Sequence, residues 1–247
     1  MTAVSATGDA RIWSIGSAIE AAASVLVRHF VPFVATALIA ALPSVLFGLL
    51  AGVASRSLLT VAGIASMVIN LAVLILVIQT LTYGTVQALR GSKVSIGDCL
   101  MQGLRSLPVG MGVGFLAYVG IVLGTILLIV PGFILFTMWS VALPAAIVER
   151  TGVLRALARS RDLTRGRRWR VFGAILVPVL ISIVMSWILI GLIFGLGGLT
   201  SMTFQIVSWL VSSVEQAFSV CVFATLYYYL RREKEGVDIE QIAAVFD

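Results

Sequence analysis

Four stretches of this chain carry no charged side chain at all: residues 31–55, 57–89, 106–148 and 171–214. A helix needs only about 20 apolar residues to cross the hydrocarbon of a bilayer. Inside that hydrocarbon every backbone donor and acceptor must be satisfied within the protein, and a helix does this segment by segment. The first two runs hold one span each. The third and fourth are too long for single spans and should each fold back as a hairpin, the fourth continuing past Glu215 to Leu230. The chain therefore reads as an all-α, polytopic membrane protein with six transmembrane helices in three hairpins. Composition agrees: 11% of residues are charged, where a soluble domain has about 25%, and the mean hydropathy is +1.10.

The formal charge of +6 is distributed with a strong bias. Residues Glu149 to Arg170 alone carry eight of the seventeen basic side chains. With both termini on the cytoplasmic side, every basic residue except Arg56 falls on that side, which is the asymmetry that orients membrane proteins. A basic chain could also bind nucleic acid, but no soluble basic surface with stacking or groove-reading elements is visible. Residues 1–11 lack the basic start, short apolar core and small-residue cleavage site of a signal peptide. The first span is expected to act as the anchor.

Amphipathic segments precede the hairpins. From Trp13 to Phe30, Ile15, Ile19, Ala22 and Leu26 oppose Ser17, Glu20, Ser24 and Arg28, the pattern of a helix lying in the interface. His29, the single histidine, sits at its edge, and Pro32 opens the first span, with Pro43 as a kink. From Ser95 to Leu107, Ile96, Leu100, Leu104 and Leu107 oppose Asp98, Gln102 and Arg105 behind a Ser-x-x-Asp capping signal. This predicts a second interfacial helix, with Pro108 starting the third span. Pro131-Gly132 makes the next turn, and the fourth span descends through Trp139 and Pro144. In the third segment Val153, Ala156, Leu157, Ser160, Leu163 and Thr164 share one face, and Arg155, Arg159, Asp162 and Arg165 the other. Gly197, Gly198, Thr200 and Ser201 are expected in an outer loop, and Tyr227, Tyr228 and Tyr229 in an aromatic belt.

One unit, an interfacial helix followed by a hairpin, thus recurs three times, with Ser14-Ile15-Gly16 and Ser95-Ile96-Gly97 opening the first two and Thr151-Gly152 the third. The domain plan is a flexible N-terminus over 1–12, a single membrane domain over 13–230 in units 13–89, 93–149 and 151–230, and a cytoplasmic tail over 231–247. Such units can enclose a shared site or record duplication alone.

Few residues could carry chemistry. Glu215 lies far inside an apolar stretch, where an ionisable side chain costs about 2.5–3.5 kcal/mol, so it marks either a polar pocket or a protonated hydrogen bond between helices. Gln79 and Asn70 are its polar companions, each readable as helix glue or as the lining of a path. Arg155, Arg159, Arg165, Arg167 and Arg168 suit anionic lipid headgroups, because a guanidinium fork matches phosphate. They could equally serve topology alone, or dock the acidic tail that begins at Glu233. Cys99 and Cys221 are isolated, and no Ser-His-Asp set, zinc-spaced cluster or phosphate-binding glycine loop occurs. No cofactor or metal is expected.

Two passages, Pro131-Gly132 through ALPAAIVER into ALARSRDLTRGRRWRVFG, and LYYYLRREKEGVDIEQIAAVFD at the end, resemble the bacterial family called the glycerophosphoryl diester phosphodiesterase membrane domain. The family pattern falls on Pro131, Gly132, Pro144, Glu149, Arg159, Ser160, Leu163, Thr164, Gly166, Tyr227, Tyr228 and Arg231. Tyr229 stands where the family usually has Asp. The resemblance implies a multi-pass protein of the bacterial inner membrane connected with lipids, and no hydrophilic segment here is long enough to be the phosphodiesterase. The expectation is a non-enzymatic module that binds anionic phospholipid or a lipid-derived ligand at its basic face and scaffolds a partner membrane protein. A transporter or channel with a path near Glu215, Gln79 and Asn70 is the alternative. A lipid-modifying enzyme would need titratable groups converging at the cytoplasmic face.

Overall fold

The computed structural model describes residues 13–40, 42–43, 56–92, 94–195 and 202–235, and these are helical with no strand among them. The helices are α1 (Ile15–Arg28), α2 (Phe30–Ala40), α3 (Arg56–Leu89), α4 (Ile96–Leu127), α5 (Ile129–Trp139), α6 (Ala142–Glu149), α7 (Val153–Thr164), α8 (Arg168–Gly195) and α9 (Met202–Glu235). The expected flexible start, the outer part of the first span, the glycine-rich outer loop and the tail beyond Glu235 lie outside the described residues.

Five stretches are long and apolar enough to cross a membrane, or six if α1 and α2 are taken as one span bent by 88°. Polarity is distributed as lipid demands. Met67, Tyr118, Ile126 and Trp187 are among many large apolar side chains facing outward, while Gln79, Thr80, Thr82, Thr85, Ser213 and Thr225 are buried. Thr80 and Thr85 return their hydroxyls to the carbonyls of Leu76 and Leu81 at 2.8 Å, so they cross the interior without an orphaned donor.

The centre of the bundle is α9, which touches α1, α2, α3, α6, α7 and α8. Ala217, Val220, Cys221, Val222, Ala224, Leu226, Tyr227 and Leu230 are buried around it, as expected of a helix enclosed on several sides. At the basic end α1 lies across the bundle, capped by Ser14, which accepts from the Ser17 amide at 3.1 Å. Its buried face is Ala18, Ala22, Val25 and Leu26, with Glu20, Ser24 and Arg28 exposed. That face is turned slightly from the expected one, because α1 packs on α9, with Trp13 stacked 6.4 Å from Tyr229, and sends Ile15 onto Gly173 of α8.

Two expectations are corrected, and a third element departs from a straight helix within its expected span. Residues 95–107 do not form a separate interfacial helix: α4 runs unbroken through Pro108. The reason is an inward stripe of Cys99, Gln102, Gly103, Gly110 and Val113 that continues on both sides of the proline, and Gly103 and Gly110 lie directly on Thr80 and Gln79 of α3. Leu100 and Leu104 consequently face outward and Gln102 inward, the reverse of a helix resting on headgroups. Second, the α4–α5 turn is at Leu128, in extended conformation (φ −163°, ψ 141°), and Pro131-Gly132 lie in the first turn of α5. Gly132 there allows the two helices to meet, packing on Thr125. Third, the stretch from Ile129 to Glu149 is not one straight helix but breaks at Ser140–Val141.

Helix α3 ends in a hydrogen-bonded reversal: Ser92 N–H donates to the Gln87 carbonyl at 3.1 Å, Gly91 N–H to the Ala88 carbonyl at 3.0 Å, and Gly91 takes φ +72°. That is the arrangement for which glycine is favoured just past a helix.

The α3–α4 contact generates a prediction. A Cβ at Gly110 would collide with the Gln79 amide, whose nitrogen donates to the Ser106 carbonyl at 3.2 Å and whose oxygen accepts from the Ser106 hydroxyl at 3.0 Å. Gly110→Val should cost about 1–3 kcal/mol by overpacking, and adding Gln79→Ala should restore part of it. Thermal unfolding in detergent micelles followed by tryptophan fluorescence checks both.

Candidate functional site

The basic end is assembled around the break in the α5–α6 stretch. Pro144 has no N–H to offer the Ser140 carbonyl, and its ring crowds that oxygen, which favours a break here. The nearby Met138 carbonyl is satisfied from another helix: Ser160 Oγ donates to it at 2.7 Å. Thr164 Oγ1 lies 3.4 Å from the same oxygen while donating to the Ser160 carbonyl at 2.9 Å. Ala156, Leu157, Ser160, Leu163 and Thr164 are all buried, so the face expected on α7 is the face it docks with. Beyond it Thr164 to Arg167 forms a tight turn closed by Arg167 N–H to the Thr164 carbonyl at 3.1 Å, with Gly166 at φ +82°. A type II turn requires positive φ at that position.

This docking brings Arg159 to Glu149. The Arg159 Nε donates to both carboxylate oxygens, at 2.9 and 3.1 Å. Tyr227 donates its hydroxyl to Glu149 Oε1 at 2.9 Å and accepts from Arg231 Nη1 at 3.1 Å. Arg231 Nε continues to Glu235 Oε2 at 2.8 Å, and Glu235 Oε1 returns to Arg159. The result is a closed ring, Glu149–Arg159–Glu235–Arg231–Tyr227, with two carboxylates against two guanidinium groups. It ties α6, α7 and α9 together. Its charged side chains are one-sixth to one-third exposed, Glu149 least at 15% and Arg231 most at 34%, so part of the Coulomb attraction is lost to solvent screening.

A second tie lies beside the ring. Arg167 donates to Glu233 Oε1, 2.8 Å from Nε, and Lys234 Nζ bonds the Asp162 carbonyl. The start of the acidic segment thus docks on the arginine-rich helix, and α9 runs through the expected boundary at 230–231 to make this contact.

The five arginines expected to bind headgroups fall into two groups. Arg159 and Arg167 are held by carboxylates. Arg155, Arg165 and Arg168 are exposed, with no carboxylate partner among the described residues, and Arg161 shares that condition. Arg168 touches only the Met138 sulfur, at 4.0 Å. Next to them Leu154 and Trp169 project outward, Trp169 at 86% exposure. Compared with family models, with curated proteins and with solved structures, the chain matches none.

The intramembrane polar residues do not share one site. Gln79 is fully buried in its hydrogen bonds to Ser106. Asn70 lies on the same helix about two and a half turns away. Glu215 lines an apolar pocket of about 500 Å³ with Leu26, Ile181, Met185, Leu210 and Phe218. A separate pocket of about 300 Å³ is formed near Trp139, Pro144 and Gln216. No three His, Cys, Asp or Glu side chains gather as a metal site among the described residues.

Residues of the motif passages now have physical parts. Pro144 makes the break, Ser160 and Thr164 cover it, Gly166 makes the turn, and Glu149, Arg159, Tyr227 and Arg231 close the ring. Tyr228 is half-buried against Tyr229, and Tyr229 stacks on Trp13. Sequence reasoning missed Glu235 as a ring member, although its spacing of four from Arg231 on a helix signals a pair. It also missed a small polar pocket at Arg105 and Arg150.

The ring predicts coupled losses. Glu149→Ala should cost about 1–3 kcal/mol and Tyr227→Phe about 0.5–1.5 kcal/mol. The double variant should lose less than the sum, by at least about 0.5 kcal/mol. Denaturant titration in micelles measures the cycle; strictly additive losses would mean that the two side chains do not act together.

Proposed function

We propose that this protein is a non-enzymatic, six-span protein of the bacterial inner membrane, with both termini cytoplasmic, that holds anionic phospholipid or a lipid-derived ligand on its basic face. On this reading the three hairpins, each led by its cytoplasmic segment, form one domain, and the exposed surface of α7 also scaffolds a partner membrane protein. The observation that carries it is the division of the arginines. One face of α7 is fastened to the bundle through Ala156, Leu157, Ser160, Leu163 and Thr164. Its other face, with the start of α8, presents Arg155, Arg161, Arg165 and Arg168, none of which forms an ion pair among the described residues.

Topology alone would be served by arginines in any arrangement, paired or not. Here the cations left unpaired are grouped beside the outward-facing Leu154 and Trp169. An amphipathic ring flanked by cations is suited to the headgroup level, where its apolar body and polar edge are both accommodated. The guanidinium groups then meet phosphate oxygens as two-pronged donors. Arg159 and Arg167 have a different part on this reading: they hold the α7 platform and the end of α9 in place. The resemblance of the motif passages to a lipid-connected bacterial membrane family points the same way.

Neutralising the unpaired group separates binding from folding. Each cation at an anionic surface contributes about 1 kcal/mol, so Arg155→Gln, Arg165→Gln and Arg168→Gln together should weaken retention of anionic phospholipid about 100-fold, with unfolding little changed. Arg159→Gln should do the opposite, lowering stability while lipid is retained. Native mass spectrometry of the purified protein with its co-purifying lipids gives the first quantity and thermal unfolding the second. Identical lipid complements in wild type and triple variant would reduce these arginines to orientation signals.

A further inference from the structure

At the basic end, away from the ring, an open pocket of about 200 Å³ lies between α4 and the α6–α7 connection. Its polar lining is Gln102, Arg105, Ser106, Arg150 and Thr151, and no carboxylate contributes to it. Two of these residues are cations. Arg150 occupies the left-handed region at φ 51° as the residue that ends α6, and its Nη2 lies 3.4 Å from Gln102 Oε1. Arginine can only donate, so this contact fixes the Gln102 amide with its oxygen toward Arg150 and leaves the –NH2 as a donor. The Thr151 Oγ1 is buried with no hydrogen-bond partner among the described residues. A buried hydroxyl left without a partner costs about 1–3 kcal/mol, which a bound acceptor would recover. Gly152 follows as the N-cap of α7, and no side chain caps that helix, so the positive end of its dipole lies next to the pocket.

No carboxylate faces this pocket, and its donors are the two guanidinium groups, the Thr151 hydroxyl and the Gln102 –NH2. Its volume is below the ~300–1,000 Å³ of pockets that enclose whole drug-sized ligands, so it suits one compact anionic group. Outward-facing Leu100, Met101 and Leu104 lie on the same stretch of α4, where acyl chains would run.

We propose that this pocket is a phosphate-binding site, with Arg105 and Arg150 gripping the oxygens of one phosphate group and Thr151 and Gln102 donating to it. The phosphate comes from an anionic phospholipid headgroup or from the free ion. The site deepens the lipid-binding reading and rests on it, but uses different residues from the exposed α7 surface.

Full-length protein in detergent micelles is titrated with phosphatidylglycerol, with phosphatidylcholine and with inorganic phosphate, and bound species are counted by native mass spectrometry. A single site is expected that takes phosphatidylglycerol over phosphatidylcholine or takes inorganic phosphate. Loss of one phosphatidylglycerol when inorganic phosphate is added identifies the free ion as occupant; a lipid that resists displacement identifies the headgroup. Arg105→Gln with Arg150→Gln should weaken this site at least 10-fold. Two further variants keep the test sharp if that one misfolds. Gln102→Glu keeps a partner for Arg150 but places a negative charge in the pocket, and should abolish binding. Thr151→Val removes a hydroxyl that has no partner to lose, and should weaken binding several-fold with the unfolding temperature unchanged or raised. If all three bind phosphatidylglycerol and phosphate as wild type does, while the Arg155, Arg165 and Arg168 triple variant loses lipid, the pocket is refuted and the surface reading stands. If no variant and not the triple variant changes binding, both fall.

Discussion

The break at Ser140–Val141 is the constraint on which the basic end of the molecule depends. Pro144 prevents the α5–α6 stretch from running straight, and the cost of a backbone oxygen in an apolar surrounding must then be met by another helix. Ser160 meets it from α7 at 2.7 Å. Because that bond fixes the position of α7 along its own axis, Arg159, the adjacent residue, reaches Glu149, and Glu149 in turn takes the Tyr227 hydroxyl. Each step supplies the geometry for the next. A helical segment carrying three arginines would otherwise have little reason to lie against a bundle, since its mutual repulsion favours separation.

Away from that end, the bundle is held by other means. With lipid outside, bringing apolar side chains together removes little water, so helix association rests on close packing and hydrogen bonds. The α3–α4 contact shows both: Gly103 and Gly110 let the backbones approach, and Gln79 fills the space while exchanging two hydrogen bonds with Ser106. The same feature explains why Pro108 does not end α4. A proline in a helix interior loses one bond, but an unbroken inward stripe of small residues gains contact on both sides of it.

How much of this was legible depended on whether a signal was local. Charge-free runs report the solvent around a helix directly, and the membrane class followed from them. On α7 the periodicity identified the buried face residue by residue, because its surroundings are split sharply between protein and water. On residues 95–107 the same method pointed the wrong way. There the outside is apolar and the inside contains Gln102, so the face rich in leucine is the outward one, and periodicity alone does not state which solvent an apolar face prefers. Pro131-Gly132 invited a turn, yet the reversal is made at Leu128, because proline is well accommodated in the first turn of a helix, where its missing donor has no partner to lose. The ring around Glu149 needed residues 76 or more positions apart to meet; in the sequence only the steps of four, Tyr227 to Arg231 and Arg231 to Glu235, are close enough to announce a contact. Motif resemblance had already grouped Glu149, Arg159, Tyr227 and Arg231 without giving a reason, and the ring supplies one.

The remaining question about the arginines is one of charge balance. Glu149 and Glu235 neutralise Arg159 and Arg231, and Glu233 neutralises Arg167. Those cations have no charge left to offer a distant anion, whatever their exposure, since a second anion would meet a net-neutral pair. Arg155, Arg161, Arg165 and Arg168 keep theirs, and so do Arg105 and Arg150 on the other side of the α6–α7 connection. The field at this end of the molecule is therefore set by unpaired residues, and it is divided between an open surface and a confined pocket. The same phosphate chemistry would be read diffusely in one place and as a single defined contact in the other.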